Sequence, residues 1–371
     1  LMVLPLISCV LRLQRKSINS VKGLYKIGRR EIMTNKNIYK YDNMKRMEHM
    51  AVRKTVGWYL WTHHLMEVTG KDSGVFLDKI YANPIANLKA GRARYTTMLN
   101  DNAEIIDDVV VFRLNEERFW ISTLFMNKLK PWLDQHKGDY EVGYTNITPN
   151  YHMYAVQGPK AKELINLMSE ENIDDQKFFS IRDNKIDGIP VKINYGGFTG
   201  EKSGYEIYFP SEEIGKIEGK FKQYGEALGA KEITEFQIMT WTLPTEAGFY
   251  YLRDLLHTNP MEVGLDTGIK WDRDFIGKEA LLQVKENGPA REMLGFTMDQ
   301  DDVHLNAKDL GGPGDPIIAD GEEIGRLSKF NYSYVLDKNI GYILAKKGAL
   351  KVGDKIKIKD YEAVITERRF I

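Results

Sequence analysis

Three strand-like runs succeed one another between residues 94 and 125: RYTTMLN, IIDDVVVFRL and RFWISTLF. Each is rich in β-branched and aromatic residues, and only the turn-like DNAE and NEE separate them. Such runs joined by such turns read as an antiparallel meander, so the fold has to be built on a sheet. The middle run adds a second constraint. Asp107 and Asp108 are adjacent inside the apolar stretch AEIIDDVVVF, and neighbours on a strand point to opposite faces. If one face is the core, one carboxylate is held against apolar neighbours.

Around this meander, helices and strands alternate. MEHMAVRKTVG reads as a helix, HLMEVTG as a strand, and SGVFLDKIY as a helix with Ser73 at its N-cap. A second cycle follows: YHMYAVQGP as a strand, KAKELINLM as a helix, and IPVKINYGGF and GYEIYFP as strands. SEEIGKIEGKFKQYGEALG is an amphipathic helix closed by Gly229. Two such cycles indicate two similar α+β domains, without a recognisable sequence repeat. Beyond residue 286 the runs REMLGFTM, PIIA, EIGRLSKF, IGYILA, KIKI and EAVITERRF alternate with turns such as Asp320-Gly321 and Gly353-Asp354. That pattern suits a small all-β barrel or sandwich. The expected organisation is an α+β chain with a first domain at 33–150, a second at 151–285 and a β-domain at 286–371.

Composition narrows the partners. With 52 basic and 52 acidic residues the chain has no basic excess, which excludes nucleic acid as an expected partner. A single cysteine, Cys9, excludes an internal disulfide and fits a reducing compartment, so the expected location is cytoplasmic. The opening LMVLPLISCVLRL is too short to span a bilayer and has no charged leader. Met33 offers a start, and residues 1–32 are read as a leader or upstream segment outside the fold. No later segment reaches transmembrane length, so no membrane partner is expected.

Several familiar chemistries are missing. There is no Cys/His metal cluster, no GxSxG elbow and no GxGxxG after a strand, and no metal is expected. The loop GGPGDP at 311–316 lacks a Walker lysine. His63 and His64 are adjacent, so on a strand they face opposite ways and cannot chelate one ion together. The stretch NYGGFTGEKSGYEIYFP, 194–210, is more informative: its glycines mark a tight turn, and Glu206 stands between Tyr205 and Ile207 in an apolar strand. A carboxylate there suits a ligand edge with two N–H donors side by side, as on aminopyrimidine and pterin rings. A glutamate on the solvated face of an edge strand is the plainer alternative.

Taken together, these segments resemble the aminomethyltransferase family, the folate-binding T-protein of the glycine cleavage system and its demethylase relatives. EHMAVRKTVG is similar to the family's first helix, and GRARYTTMLNDNAEIIDDVVVFRL to its G-x-x-x-Y…N-x-x-G-G-I-I-D-D-L-x-V-Y run. VQGPKA, GGFTGEKSGYEIY, TEAG, NPMEVGLD and DFIGKEAL follow in the family's order, so the resemblance spans roughly residues 46–371. It implies a three-domain cloverleaf, two related α+β domains with antiparallel sheets plus a C-terminal β-barrel, around a central cavity for tetrahydrofolate. By position, Asp108 matches the family's active-site aspartate, Tyr95 a tyrosine lining the folate site, and Glu206 the pterin-binding glutamate. Phe198 falls where a tyrosine is usual. Asn259 and Glu262 belong to the NPMEVGL block near the cavity.

The departures lie on the donor side. The T-protein's D-V-S-H-M becomes Leu60-Trp61-Thr62-His63-His64, and the asparagine expected after RFWIST is Leu124. Thr240 and Pro244 stand where arginines are usual, and Y-G-x-D-x-D is shortened to YYLRDLLH. That pattern resembles the family's methyl-transferring members, such as dimethylsulfoniopropionate and aromatic methyl-ether demethylases. The first expectation is therefore demethylation of a small methyl donor to give 5-methyltetrahydrofolate. The second is aminomethyl transfer from a lipoyl carrier protein to give methylenetetrahydrofolate. A third is folate binding without catalysis, like the iron–sulfur assembly relatives, whose K-G-C-[YF]-x-G-Q-E signature is replaced by the cysteine-free GGFTGEKSG. The expected catalytic set is Asp108, His63 and Tyr250; the folate set is Tyr95, Asp108, Phe198 and Glu206. Trp61, His64, Tyr251 and Glu262 are expected on the donor side. Asp107 is read as a rim residue where the strand leaves its turn.

Overall fold

The computed structural model describes residues 38–61, 64–301, 303–309 and 312–371. The leader expected at 1–32, Cys9, Met33 and His63 lie outside the described residues. No helix among the described residues is long and apolar enough to cross a membrane.

The meander forms as its sequence requires. The strands β1 (Gly57–Trp61), β2 (His64–Thr69), β3 (Arg92–Leu99), β4 (Ile105–Asn115), β5 (Arg118–Thr123) and β6 (Gly143–Asn146) come first along the chain. β7 (Tyr151–Gln157), β8 (Ser180–Ile186), β9 (Ile189–Tyr195), β10 (Gly204–Pro210) and β11 (Lys231–Glu232) follow. All eleven join one sheet in the order β11-β1-β7-β10-β9-β8-β3-β4-β5-β2-β6. β3 and β8 meet through a single residue pair, Arg92 with Ser180, so the sheet has two halves joined at a narrow seam. β1 sits in the far half, between β7 and β11. The helix Asn43–Lys54 and the strand after it thus stitch the start of the fold to strands from beyond residue 150.

Alternation along each strand sorts side chains into an outer and an inner face. On the outer face of one half, Val109, Val111 and Ile121 pack under the helices Ser73–Ile80 and Met126–His136. On the other half, Val156, Tyr205 and Ile207 pack under Ala161–Met168 and Ile214–Gly225. The inner faces bring Phe112 and Trp120 of one half against Met153, Ala155 and Tyr208 of the other. Burying each such large side chain is worth about 1.5–3 kcal/mol, enough to clamp the halves together around an opening. Ser73 is not the N-cap expected for its helix. Asp72 takes that place, and Ser73 is the first helical residue, its Oγ donating to the Gly70 carbonyl at 2.7 Å.

The C-terminal strands β12 (Arg291–Met298), β13 (Pro316–Ala319), β14 (Glu322–Ser333), β15 (Lys338–Lys346), β16 (Lys355–Ile358) and β17 (Tyr361–Thr366) form a second sheet. Its order is β13-β14-β15-β12-β17-β16, and the end strands β13 and β16 lie against each other, so it nearly closes into a barrel. Phe296, Leu327, Phe330, Ile343 and Ile365 fill it. Between the sheets, Ile238–Thr242 makes a wide π-helical turn that runs into the short helix Leu243–Glu246. Such turns are rare and gather at functional sites.

Candidate active site

A cavity of about 500 Å³ opens between the inner faces. One wall is the inner face of the meander. Tyr95 pairs across β3 and β4 with Val110, and Thr97 with Asp108, so Tyr95 and Asp108 are diagonal neighbours on the same face. The Tyr95 hydroxyl donates to Asp108 Oδ2 at 2.9 Å. Burial pushes the Asp108 carboxyl up to about 6, against the Tyr95 hydrogen bond that pulls it down. It is therefore mostly ionised at neutral pH.

Asp107 is not at a rim. It is fully buried on the outer face, where Oδ2 accepts from Thr123 Oγ1 at 2.7 Å and Oδ1 from the Asp108 amide at 3.0 Å. Burial and the neighbouring Asp108 charge raise it to about 8, so it is mainly the neutral acid at pH 7. The strand therefore buries both aspartates, because helices cover the face that a bare hairpin would leave wet.

The opposite wall belongs to β9 and β10. Glu206 is buried rather than solvated and pairs across the strands with Asn194. Its Oε2 accepts from Asn194 Nδ2 and the Tyr208 hydroxyl, each at 3.0 Å. Burial raises this carboxyl to about 7. Asn194 Oδ1, also buried, has no hydrogen-bond partner among the described residues. Two acceptors side by side, one of them unanswered, suit a ligand edge that carries N–H donors. The Gly196-Gly197 turn lines the same wall, and at Gly197 a Cβ would come within 2.2 Å of Gln157 Oε1, so any other residue would displace the buried Gln157 amide.

Aromatic and apolar groups close the rest. Trp61 and Phe198 meet at a tilt with ring centres 4.5 Å apart, and Phe236 stacks on Trp61 at 5.8 Å. Leu124, Met239, Thr240, Pro244 and Phe249 complete this side. Tyr250 and Tyr251 both line the cavity, but the Tyr250 hydroxyl donates to the Val263 carbonyl at 2.8 Å, which commits its proton. The structure thus brings together Trp61, Tyr95, Asp108, Phe198, Glu206, Tyr250 and Tyr251.

His64 and Glu262 are not among the lining residues. His64 is half-buried and opens β2, paired with Thr123. Glu262 is locked elsewhere: Arg291 Nε and Nη2 reach its two oxygens at 2.8 Å each, and Asn259 caps the Pro260–Val263 turn beneath it. Its carboxylate is spent on that fork, so it faces no donor. The structure adds two groups to the wall, Asn194 and Arg368. Asn194 carried the same signal as Glu206, a polar residue inside an apolar strand. Arg368 carried none, because an arginine pair after a terminal strand reads as solvated. Its guanidinium stands 4.2 Å from the Tyr250 ring centre and donates to the Val263 carbonyl at 2.6 Å. Burial lowers it to about 10, which leaves it charged at neutral pH. Among the described residues no three His, Cys, Asp or Glu side chains converge as a metal site.

Comparison with known proteins agrees with this arrangement. Residues 30–273 match the GCVT N-terminal domain, and residues 291–371 the glycine cleavage T-protein C-terminal barrel domain. An aminomethyltransferase of Thermoanaerobacter sp. (strain X514) is 32% identical over 342 residues, covering 87% of this chain and 88% of the relative. One from Clostridium botulinum (strain Loch Maree / Type A3) is 32% identical over 336 residues, with the same coverage. The solved glycine cleavage system aminomethyltransferase T of Bartonella henselae shares the fold, with a TM-score of 0.77 at 21% identity over 88% of this chain and 89% of its own. With both domains matched and a sequence likeness that runs through sheet, cavity and barrel, the chain belongs to the aminomethyltransferase family, the tetrahydrofolate-dependent one-carbon transferases of the glycine cleavage T-protein type.

Proposed function

We propose that the chain transfers the one-carbon unit of an aminomethylated lipoyl carrier protein to tetrahydrofolate, giving methylenetetrahydrofolate and releasing ammonia and the carrier's thiol. The observation that carries this is the pairing, in one cavity, of ionised Asp108 held by Tyr95 with the two acceptors of Glu206 and Asn194. Curated relatives named aminomethyltransferase favour this donor over the demethylation expected first from the sequence. A cytoplasmic setting belongs to the same proposal.

Tetrahydrofolate supplies the nucleophilic nitrogen N5. Glu206 and Asn194 take the N–H edge of the pterin, and the glycine turn lets that ring lie flat against backbone. Asp108 places a negative charge where positive charge develops as the new bond forms, and Tyr95 fixes its rotamer. The apolar wall excludes water, which strengthens that charge interaction. Orientation of two reactants in such a space can remove about 7–11 kcal/mol of barrier. Where a leaving group needs a proton, Tyr251 is the lining hydroxyl placed for it, since the Tyr250 hydroxyl is already given to Val263.

One observation favours a second reading, a small methyl donor yielding 5-methyltetrahydrofolate. Leu124, Thr240 and Pro244 line the cavity where the T-protein pattern has an asparagine and arginines, a change shared with the family's methyl-transferring members. Purified protein incubated with tetrahydrofolate and either aminomethylated carrier or a panel of methyl donors separates the two. Methylenetetrahydrofolate from the carrier supports the first reading; 5-methyltetrahydrofolate from a small donor alone replaces it with the second. Turnover with neither sinks both.

A further inference from the structure

The transfer described above gives no task to a buried cation that the barrel sends towards the cavity. Lys329 lies on β14 just past a bulge, where the register with β15 slips between Leu327 and Lys329. A bulge of this kind re-aims the side chains beside it. The Lys329 side chain is fully buried, and Nζ donates to Asp254 Oδ2 at 3.0 Å, an equally buried group. The same oxygen accepts the backbone N–H of Tyr251 at 2.9 Å, and Tyr251 lines the cavity. The ammonium also lies 5.1 Å and 5.4 Å from the ring centres of Trp241 and Tyr342.

We propose that Lys329 is a positioning residue for the one-carbon transfer, acting through Asp254 on the Tyr251 segment and on the charge balance around Asp108. The inference rests on the proposed function. A buried ion pair seldom holds two domains better than an apolar pair of similar volume, so stability alone gives little reason for a lysine here. Its location does. Asp254 bears on Asp108 in the direction that favours the neutral acid, and Lys329 bears on it in the opposite direction. The other titratable groups around Asp108 are Tyr95 from β3, Tyr251, Arg368 in the same cavity wall, and Asp107, its neighbour on the opposite face of β4. Burial lowers the Lys329 amine and Arg253 adds to that, while the contact with Asp254 and the charge of Asp108 act to keep it an ammonium. The barrel thereby supplies the positive charge that lets Asp108 stay ionised near a second buried carboxylate.

The test uses the full chain with Lys329→Met, Asp254→Asn and the double variant. Turnover with aminomethylated carrier and tetrahydrofolate is followed against pH, and circular dichroism and gel filtration check the fold. Lys329→Met is expected to lower kcat about 10-fold at neutral pH with little change in KM, and to move the acid limb up by about one pH unit. Asp254→Asn should move the limb down, and the double variant should return it close to the wild-type position. A merely structural lysine would lower the melting temperature and leave limb and kcat unchanged, and that result overturns the proposal. If Lys329→Met does not fold, the double variant is compared with Asp254→Asn, and coincident limbs overturn it equally. If the wild type turns over no donor, the proposed function has failed instead. The pH dependence of tetrahydrofolate binding, read by tryptophan fluorescence, then carries the same comparison, and an unshifted limb refutes it.

Discussion

Two groups of buried carboxylates are partnered in opposite ways. Where the helix Asn43–Lys54 meets the barrel, Glu246 accepts from His49 Nε2 at 3.0 Å, from Arg53 Nε and Nη2 at 3.0 and 2.8 Å, and from Ser333 Oγ at 2.6 Å. Burial alone would raise its carboxyl, but the His49 and Arg53 contacts outweigh burial and hold it at about 2. In the cavity, Asp108 and Glu206 are hydrogen-bonded by Tyr95, Asn194 and Tyr208, all neutral. Burial prevails there, and these acids stand at about 6 and about 7. An acid that fastens the fold is given a cation by the fold. An acid under-compensated by its own protein is left for a ligand to complete.

The largest effect expected from this contrast is on stability. Glu246→Gln removes the more deeply buried of the two carboxylates that Arg53 is held against, leaving Glu201, and should cost about 3 kcal/mol in urea unfolding at neutral pH. The folded carboxyl lies below its unfolded value of about 4.3. Its contribution is therefore complete above that value and is lost as pH falls towards about 2. An unchanged unfolding midpoint would dissolve the distinction between the two groups. Asp108→Asn should do the reverse, costing no stability at neutral pH, since folding raises this carboxyl and the amide escapes that penalty, while lowering kcat about 100-fold. Wild-type turnover should fall as pH drops through about 6, because only the ionised aspartate stabilises developing positive charge. The asparagine variant should lack that limb, and a retained limb would assign it to another group.

The same contrast shows what the sequence could disclose. The meander, the two helix-covered halves and the barrel were legible because strand periodicity and turn residues act locally. Asp108 and Glu206 were legible because an acid flanked by β-branched and aromatic residues has few places to go. The partners of those acids were not. Lys329, Arg53 and Arg368 look like surface cations in their own neighbourhoods and become buried only when segments far apart in the chain converge. Glu262 illustrates the converse: its block pointed towards the cavity, yet Arg291, 29 residues further on, claims its carboxylate. Asp107 was misplaced for the same reason, since the helix covering its face is read from other parts of the chain.

The smallest effect tests the contrast most sharply. Glu206→Gln should weaken tetrahydrofolate binding about 10-fold in a fluorescence titration, since an ionised acceptor is replaced by a neutral one. Wild-type affinity should be strongest above about pH 7 and decline below it, as protonation removes the acceptor's charge. The ligand-free variant, however, should be more stable than wild type by about 1 kcal/mol at pH 8. A carboxyl raised by folding prefers to be protonated in the folded state, so its penalty is present above its folded value and is relieved as pH falls. Glutamine is neutral throughout and never meets that penalty. The gain should therefore fade in acid, where Glu206 is protonated in both states. The same Glu→Gln exchange then destabilises at Glu246 and stabilises at Glu206. If both positions lose stability, Glu206 is one more structural acid, and the wall opposite Asp108 has to be sought elsewhere in the cavity.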